Sequence, residues 1–309
     1  MPDHKDWNDA AYGRHAGLVV SSRDGADVIA CETCGFKHIV PLPDQTKLKE
    51  FYEQAFYQSE KPDYLNRNQE DLDWRTLEFT DRFLETEAVL PEGAARRVLD
   101  IGCGPGDFLA AGKARGWDCV GVEPSPVAAD FARGRGLEII TAAFDRDVAA
   151  SLGQFSFVHM SEVLEHIPNP SELLSLATEL LIPGGVMCVS VPNDFNPLQK
   201  AFCAESGADD WWVVPEHHLN YFDFQSLEGL IRQSGLLPFA RSTNFPMEAF
   251  LLMGQDYTKA PDLGRQLHGQ RKNFDMTLGR HEPEARRALY KALASAGLGR
   301  LAIILAKKG

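Results

Sequence analysis

The chain has 309 residues, 44% of them hydrophobic and 24% charged, with a net charge of −13. That is enough length to bury one large core or two, and the composition is that of a globular protein. The acidic balance argues against a broad phosphate-binding surface, and no apolar run reaches the roughly 20 residues needed to span a membrane.

The N-terminus, MPDHKDWNDA, is polar and acidic and shows no signal peptide. Six cysteines are scattered along the chain, Cys119 and Cys188 inside apolar runs. This usage reads as buried thiols in a cytoplasmic protein rather than a disulfide framework.

Residues 1–60 fall outside any α/β alternation. Val28-Ile29-Ala30 and Ile39-Val40 read as short strands flanking Cys31-Glu32-Thr33-Cys34-Gly35. A C-x-x-C before glycine between strands is the shape of a zinc knuckle, and structural zinc takes four ligands. A second pair is absent, so His15 and His38 are the candidate partners of Cys31 and Cys34, with His4 behind them. The alternative is a turn whose thiols simply pack.

Residues 61–95 continue a helical stretch rich in aromatics and acids that begins near 45. Tyr57, Tyr64 and Trp74 are candidates to cover a bound ligand, or else pack in the core of amphipathic helices.

From residue 96 strands and helices alternate. Strands are expected near 96–101, 117–123, 137–141, 155–160, 186–191, 236–243 and 301–306, implying a mostly parallel sheet covered on both faces. The first strand runs into Asp100-Ile101-Gly102-Cys103-Gly104-Pro105-Gly106, a tight glycine turn before a helix. Asp107 stands where a dinucleotide fingerprint would carry its third glycine. The second strand ends on Glu123, placed to accept ribose hydroxyls, and Ser125-Pro126 reads as an N-cap and first helical position. Asn169-Pro170 with Glu172 predicts a capping box, with Pro183-Gly184-Gly185 stopping that helix. A further helix should run from Asp223 to Gly235.

The turn, Glu123, SEVLEHIPNP (161–170), LIPGG (181–185) and HLNYFDFQSLEGLI (218–231) together resemble the class I S-adenosylmethionine (SAM) methyltransferases over roughly residues 96–240. The resemblance implies a seven-stranded doubly wound sheet whose last strand, 301–306, is antiparallel. It also implies SAM contacts from Asp100, Gly102, Cys103, Gly104, Gly106, Glu123, Pro124, Phe144, Ser161 and Glu162. Some bacterial methyltransferases carry an N-terminal zinc-binding segment with two cysteine pairs, which residues 1–60 partly resemble. On this reading 96–309 is the methyltransferase core, with a lid inserted at about 245–297. Its helix should span about 283–296 and stop at Gly297. The run Arg265, Arg271, Lys272, Arg280, Arg286 and Arg287 points to an anionic acceptor, or to a solvated helix face.

In a helical turn Glu162, Glu165 and His166 would share one side, and Glu216-His217-His218 lies downstream. This pattern resembles the metal site of small-RNA 3′-terminal 2′-O-methyltransferases, which implies a divalent ion such as magnesium on Glu162, Glu165, His166 and His218. The same E-V-L-E-H-I occurs in quinone-type O-methylating enzymes that need no metal. Without a metal, His166, His217 or His218 would act as general base.

The expected function is SAM-dependent methylation, preferably O-methylation, of a small hydroxylated acceptor: a sugar, a nucleotide-sugar or a secondary-metabolite intermediate. Metal-dependent RNA 2′-O-methylation, sugar C-methylation and non-catalytic SAM binding are the alternatives. The charge argues against nucleic acid.

Overall fold

The computed structural model describes residues 3–43 and 69–309. Tyr57 and Tyr64 lie outside the described residues. The chain builds two sheets.

The first is antiparallel: β1 (His4–Asp9), β2 (Gly13–Arg23), β3 (Ala26–Cys31) and β4 (Lys37–Val40), in that order, followed by β10 (Asn220–Tyr221) from far down the chain. Asp24 and Gly25 join β2 to β3 with φ of 51° and 80°. That two-residue turn matches the twist of the flanking strands. The thiol-bearing turn between β3 and β4 closes through Gly35 N–H donating to Cys31 O at 3.0 Å, with Gly35 at φ 76°.

The second sheet has the order β11-β12-β9-β8-β5-β6-β7. These strands are β5 (Arg97–Ile101), β6 (Asp118–Glu123), β7 (Glu138–Thr141), β8 (Phe155–Ser161), β9 (Leu181–Pro192), β11 (Leu236–Ser242) and β12 (Leu301–Lys308). The pairs among β5 to β9 are parallel, while β12 runs antiparallel to both β9 and β11. This is the seven-stranded methyltransferase arrangement expected from the sequence. Strand order reverses at β5, which has β6 on one side and β8 on the other, so the crevice at their carboxyl ends is the place for a ligand.

Helices cover both faces: α1 (Leu72–Glu87), α2 (Asp107–Ala114), α3 (Pro126–Gly134), α4 (Arg146–Ser151), α5 (Pro170–Glu179), α6 (Pro197–Ser206) and α7 (Phe224–Gln233). One apolar layer centres on Leu99, Val158, Met160 and Val189 with Leu174 and Leu227, and the other on Phe83, Val98, Phe108 and Phe157. Between β11 and β12 come α8 (Glu248–Leu252), α9 (Pro261–His281) and α10 (Pro283–Ser295), with Gly297 at φ 72° after the last.

Several local expectations change. Asn169 does cap α5, accepting from Glu172 N–H at 3.3 Å, but the Glu172 carboxylate accepts from the Asn169 side chain rather than from its backbone. Pro183-Gly184-Gly185 does not stop that helix. The chain leaves α5 at Leu180 and is already in β9, where these residues form a bulge: Phe155 faces Leu181, yet Phe157 faces Val186. Gly184 at φ 74° supplies the conformation the bulge needs. Ser125 begins α3 without a side-chain cap, and its backbone N–H donates to Glu123.

Trp74 does not cover a ligand. It is buried against α9, its indole N–H donating to Asp275 at 2.7 Å. Much of the basic run is used within the chain, partly in the same docking and partly inside its own helices. Lys272 pairs with Asp71, Arg286 and Arg287 with Asp81, Arg287 also with Glu284, and Arg265 with Asp262, while Arg271 lies over the Trp74 ring. Helices α9 and α10 therefore sit on α1, and Arg265, Lys272, Arg286 and Arg287 pair with acids of this chain.

Candidate active site

A cleft of about 380 Å³ opens at the carboxyl ends of β5 and β8. One wall is Asp100 and Gly102 to Gly104, the next is Arg75 and Phe79 of α1, and the third is Ser161, Glu162, His166, Val214, His217 and His218. That size suits a small-molecule site.

The glycine turn is shaped by positive φ at Gly102 (71°), Gly104 (51°) and Gly106 (79°). A Cβ at Gly106 would meet Leu137 Cδ1 at 2.5 Å and Ala132 at 3.1 Å. Gly106 thus permits helix packing and stays outside the cleft. Glu123 clasps the turn, with Oε2 accepting from Gly104 N–H at 2.8 Å and Oε1 from Ser125 N–H at 2.9 Å. Burial pushes its carboxyl up to about 7, while the Ser125 and Gly104 amides pull the other way. Glu123, Pro124 and Phe144 do not line the cleft, and Phe144 packs at the edge of the core.

Asp100 is buried, and its Oδ1 accepts from His159 Nδ1–H at 2.6 Å. The other imidazole nitrogen faces Arg82 Nη1 at 2.7 Å, and since an arginine only donates, His159 is neutral with its proton on Nδ1. Burial first, then the charges of Arg82 and Arg75, hold His159 well below its ordinary value. The ring stacks on Phe108 at 3.6 Å and 8°. Arg82 and Asp100 bracket this imidazole, and the acid is fixed where the turn begins.

The E-V-L-E-H stretch is not one helical face. Glu162 has φ 57°, and only Leu164–His166 form a single 3₁₀ turn. The reversal at Glu162 sends its carboxylate into the cleft, apart from the other two. Ligand atoms of Glu165, His166 and His218 lie within 4.8 Å of one another, and Glu162 is outside that group. Glu165 is buried with neither carboxylate oxygen in a hydrogen bond, and burial, then the Glu162 charge, push it well above the usual range. His166 donates from Nδ1 to His217 O at 2.6 Å, which turns Nε2 toward Glu165 at 3.8 Å. The His166 and His218 rings meet edge to face at 5.1 Å.

In the five-stranded sheet the other expected cluster assembles. His15, Cys31, Cys34 and His38 bring one ligand atom each to within 4.8 Å of the others. His4 pairs instead with Glu32 at 3.4 Å. A hydrogen bond from the Cys34 thiol is the largest influence on the Cys31 thiol and holds it well below its ordinary value, against the cost of burial. The same Cys34–Cys31 bond, with burial, raises the Cys34 thiol.

Arg75, Phe79, Arg82, His159 and Val214 were absent from the sequence-based site. Arg75 and Arg82 lie on one face of α1, seven residues apart, a helical repeat that carried a readable signal. His159 sits in the apolar run of β8 and carried none.

A model of the methyltransferase domain matches residues 65–237, more than half the chain. The ubiquinone biosynthesis O-methyltransferase of Dechloromonas aromatica (strain RCB) is 30% identical over 182 residues, 56% of this chain and 74% of the relative. Its namesake from Cereibacter sphaeroides (strain ATCC 17025) is 36% identical over 156 residues, 47% of this chain and 62% of the relative. In fold, the chain resembles magnesium protoporphyrin IX methyltransferase from Synechocystis PCC 6803 with bound SAH. That match has a TM-score of 0.51 at 12% identity and covers 86% of this chain and all of the other. The glycine turn at a topological switch point, the seven-stranded sheet and the family match agree: the chain belongs to the methyltransferase domain family and is a SAM-dependent methyltransferase.

Proposed function

We propose that the protein O-methylates a small hydroxylated acceptor. The observation that carries this is a single cleft lined both by the glycine turn and by His166 and His218, behind which Glu165 is buried. On this reading Asp100, Gly102, Cys103 and Gly104 receive the methionine end of SAM, and Glu123 accepts the ribose hydroxyls. Arg75, the cation among the cleft-lining residues, complements the carboxylate of the methionine end. The methyl group leaves a sulfonium by direct displacement, so the protein aligns the acceptor oxygen and takes its proton.

His166 and His218 are the proposed bases. The Nδ1–H bond from His166 to His217 O leaves Nε2 as the basic nitrogen on the Glu165 side. The same set fits a divalent ion, because a buried carboxylate with both oxygens lacking hydrogen bonds and two imidazoles is a mixed oxygen–nitrogen donor set, better suited to a first-row transition ion than to magnesium. Such an ion would lower the pKa of a bound hydroxyl. The fourth ligand expected of an RNA-type site, Glu162, stands apart, and with a net charge of −13 the RNA reading loses ground. The relatives' names favour O-methylation in quinone biosynthesis. They lend nothing to the sugar and nucleotide-sugar acceptors, so an aromatic or secondary-metabolite hydroxyl is the better reading.

The test is transfer of labelled methyl from SAM to a panel of catechols and other vicinal diols, with and without chelator. His218→Ala should lower kcat by about 10²–10⁴-fold while SAH affinity, read by calorimetry, stays put. Turnover unchanged in both His218→Ala and His166→Ala would end this assignment of the base.

A further inference from the structure

The five-stranded sheet finishes on a strand borrowed from the catalytic half. β10 is two residues long and pairs with β4 through Asn220 opposite His38 and Tyr221 opposite Lys37. Just before it, Leu219 O accepts from Ile39 N–H at 2.9 Å. On its other side the same strand holds the turn that carries Glu165 and His166. Leu219 N–H donates to Glu165 O at 2.7 Å, and the Asn220 side-chain amide donates to Leu164 O at 2.8 Å and Ile167 O at 2.7 Å. His217 and His218 immediately precede these residues. Apolar packing reinforces the ladder, since Val28 and Ile39 share a cluster with Val213, Leu219 and Tyr221.

His38 therefore belongs to two structures at once. Its backbone lies in the ladder opposite Asn220, and its imidazole lies in the Cys/His cluster. Both imidazoles of that cluster are set for metal binding by what their outer nitrogens do. His15 Nε2–H donates to Tyr12 O at 3.0 Å, leaving Nδ1 facing Cys34 Sγ at 3.3 Å and Cys31 Sγ at 3.6 Å. His38 Nδ1–H donates to Ile39 O at 2.9 Å. Its Nε2, on a residue only 1% exposed, has no hydrogen-bond partner. A backbone carbonyl on the outer nitrogen is the usual device for orienting a metal-bound histidine. Cys34 N–H also points at Cys31 Sγ, at 3.4 Å. Two thiols and two inward imidazole nitrogens within 4.8 Å of one another supply the four ligands a structural zinc takes, and sulfur with imidazole selects zinc over magnesium or calcium.

We propose that zinc bound by His15, Cys31, Cys34 and His38 sets the acceptor wall of the active site. It does so by fixing β4, whose ladder to β10 holds His217 and His218 against Glu165 and His166. The use of that wall rests on the methyltransferase reading above; the metal and the coupling do not. A bound zinc ties both ends of the turn between β3 and β4 to β2, and the edge of the catalytic loop is registered on β4. The glycine turn and Glu123 belong to the other sheet, so the SAM half is expected to bind independently of the metal.

The experiment needs no acceptor. Zinc in the purified full-length protein is measured by elemental analysis. Peptide-resolved hydrogen exchange and SAH calorimetry are then run on the native protein, after chelation, and after zinc is returned. The expected results are one zinc per chain, exchange over 37–40 and 218–221 accelerated about tenfold or more by chelation and reversed by zinc, and an SAH affinity unchanged. His38→Gln should weaken zinc by about 10–100-fold. Because that variant can misfold, Asn220→Ala supplies an independent check. It should keep zinc and SAH binding but show fast exchange at 218–221 whether or not the metal is present. Zinc at one per chain with 218–221 protected equally before and after chelation would overturn the coupling. No zinc, in the purified or the zinc-treated protein, would overturn the metal site. Either result with SAH still bound leaves the methyltransferase assignment intact.

Discussion

Glu123 is held at the edge of ionisation. Burial is the largest influence on it and the Asp100 charge adds to that, so its carboxyl titrates near 7, above the ordinary value of 4.5, despite two amide donors. To accept ribose hydroxyls it must be a carboxylate, and each oxygen has a second lone pair left after the amides of Gly104 and Ser125. The sign follows. Below about pH 7 the apo protein carries a proton there that binding must expel, so SAH affinity should rise about tenfold per pH unit up to about 7 and level off above it. Calorimetry across that range in buffers of different ionisation enthalpy reads both the slope and the released proton. Glu123→Gln should flatten the profile; a profile of unchanged slope in that variant would remove Glu123 from the ribose site. Asp100, Gly102 and Gly104, which line the cleft, were legible in the sequence because they are neighbours along it, placed by one strand end and one turn. His159 and Arg82 were not. Their bond to each other spans 77 positions, and only the parallel register of β5 with β8, which sets Asp100 opposite His159, brings the three together.

At the level of elements, the sequence showed the strands of the larger sheet well, because runs such as Val98-Leu99 and Val186 to Val191 are buried on both faces. It misread Pro183-Gly184-Gly185, whose chemistry serves a bulge as well as a helix stop. It had no means of showing β10, a two-residue strand defined only by its partner. The lid was visible as extra length between β11 and β12, but not its target. That target is α1, and the joint is Asp275, buried, accepting from Trp74 Nε1–H at 2.7 Å and from the Tyr290 hydroxyl. Asp275→Leu should strand both donors at a cost of about 1–3 kcal/mol each in urea unfolding. Because α1 also presents Arg75 and Phe79 to the cleft, SAH affinity should fall by roughly tenfold, although residue 275 lines no part of it. Arg265→Ala, which removes an exposed pair with Asp262, is the control and should leave both readings where they were. Loss of stability without loss of affinity would show that the lid props the fold and not the site.

For the whole molecule, the family match covers residues 65–237 and so leaves out β1 to β4, most of β11, the insertion after it and β12. Those flanking parts are joined to the matched segment in different ways: the lid through α1, β12 by insertion between β9 and β11, and the small sheet through β10. Among the described residues no helix is long and apolar enough to cross a membrane. Two sheets joined through a strand this short are either one cooperative unit or two, and ligand-linked melting separates the cases. SAH at a hundred times its Kd should add about 2.7 kcal/mol. With an unfolding entropy of about 2.1 cal/mol/K per residue, that lifts the melting temperature of a chain this long by about 4 °C. Trp7 lies in β1 and Trp117 in the core of the larger sheet, so tryptophan fluorescence reports on both, and circular dichroism on the strands and helices together. If packing of Val28 and Ile39 on Val213, Leu219 and Tyr221 makes the sheets one unit, both signals melt in a single transition that moves as a whole. Two transitions, with only the later one moved by SAH, would mean that the small sheet melts on its own and that β10 is a contact between two separately folding units.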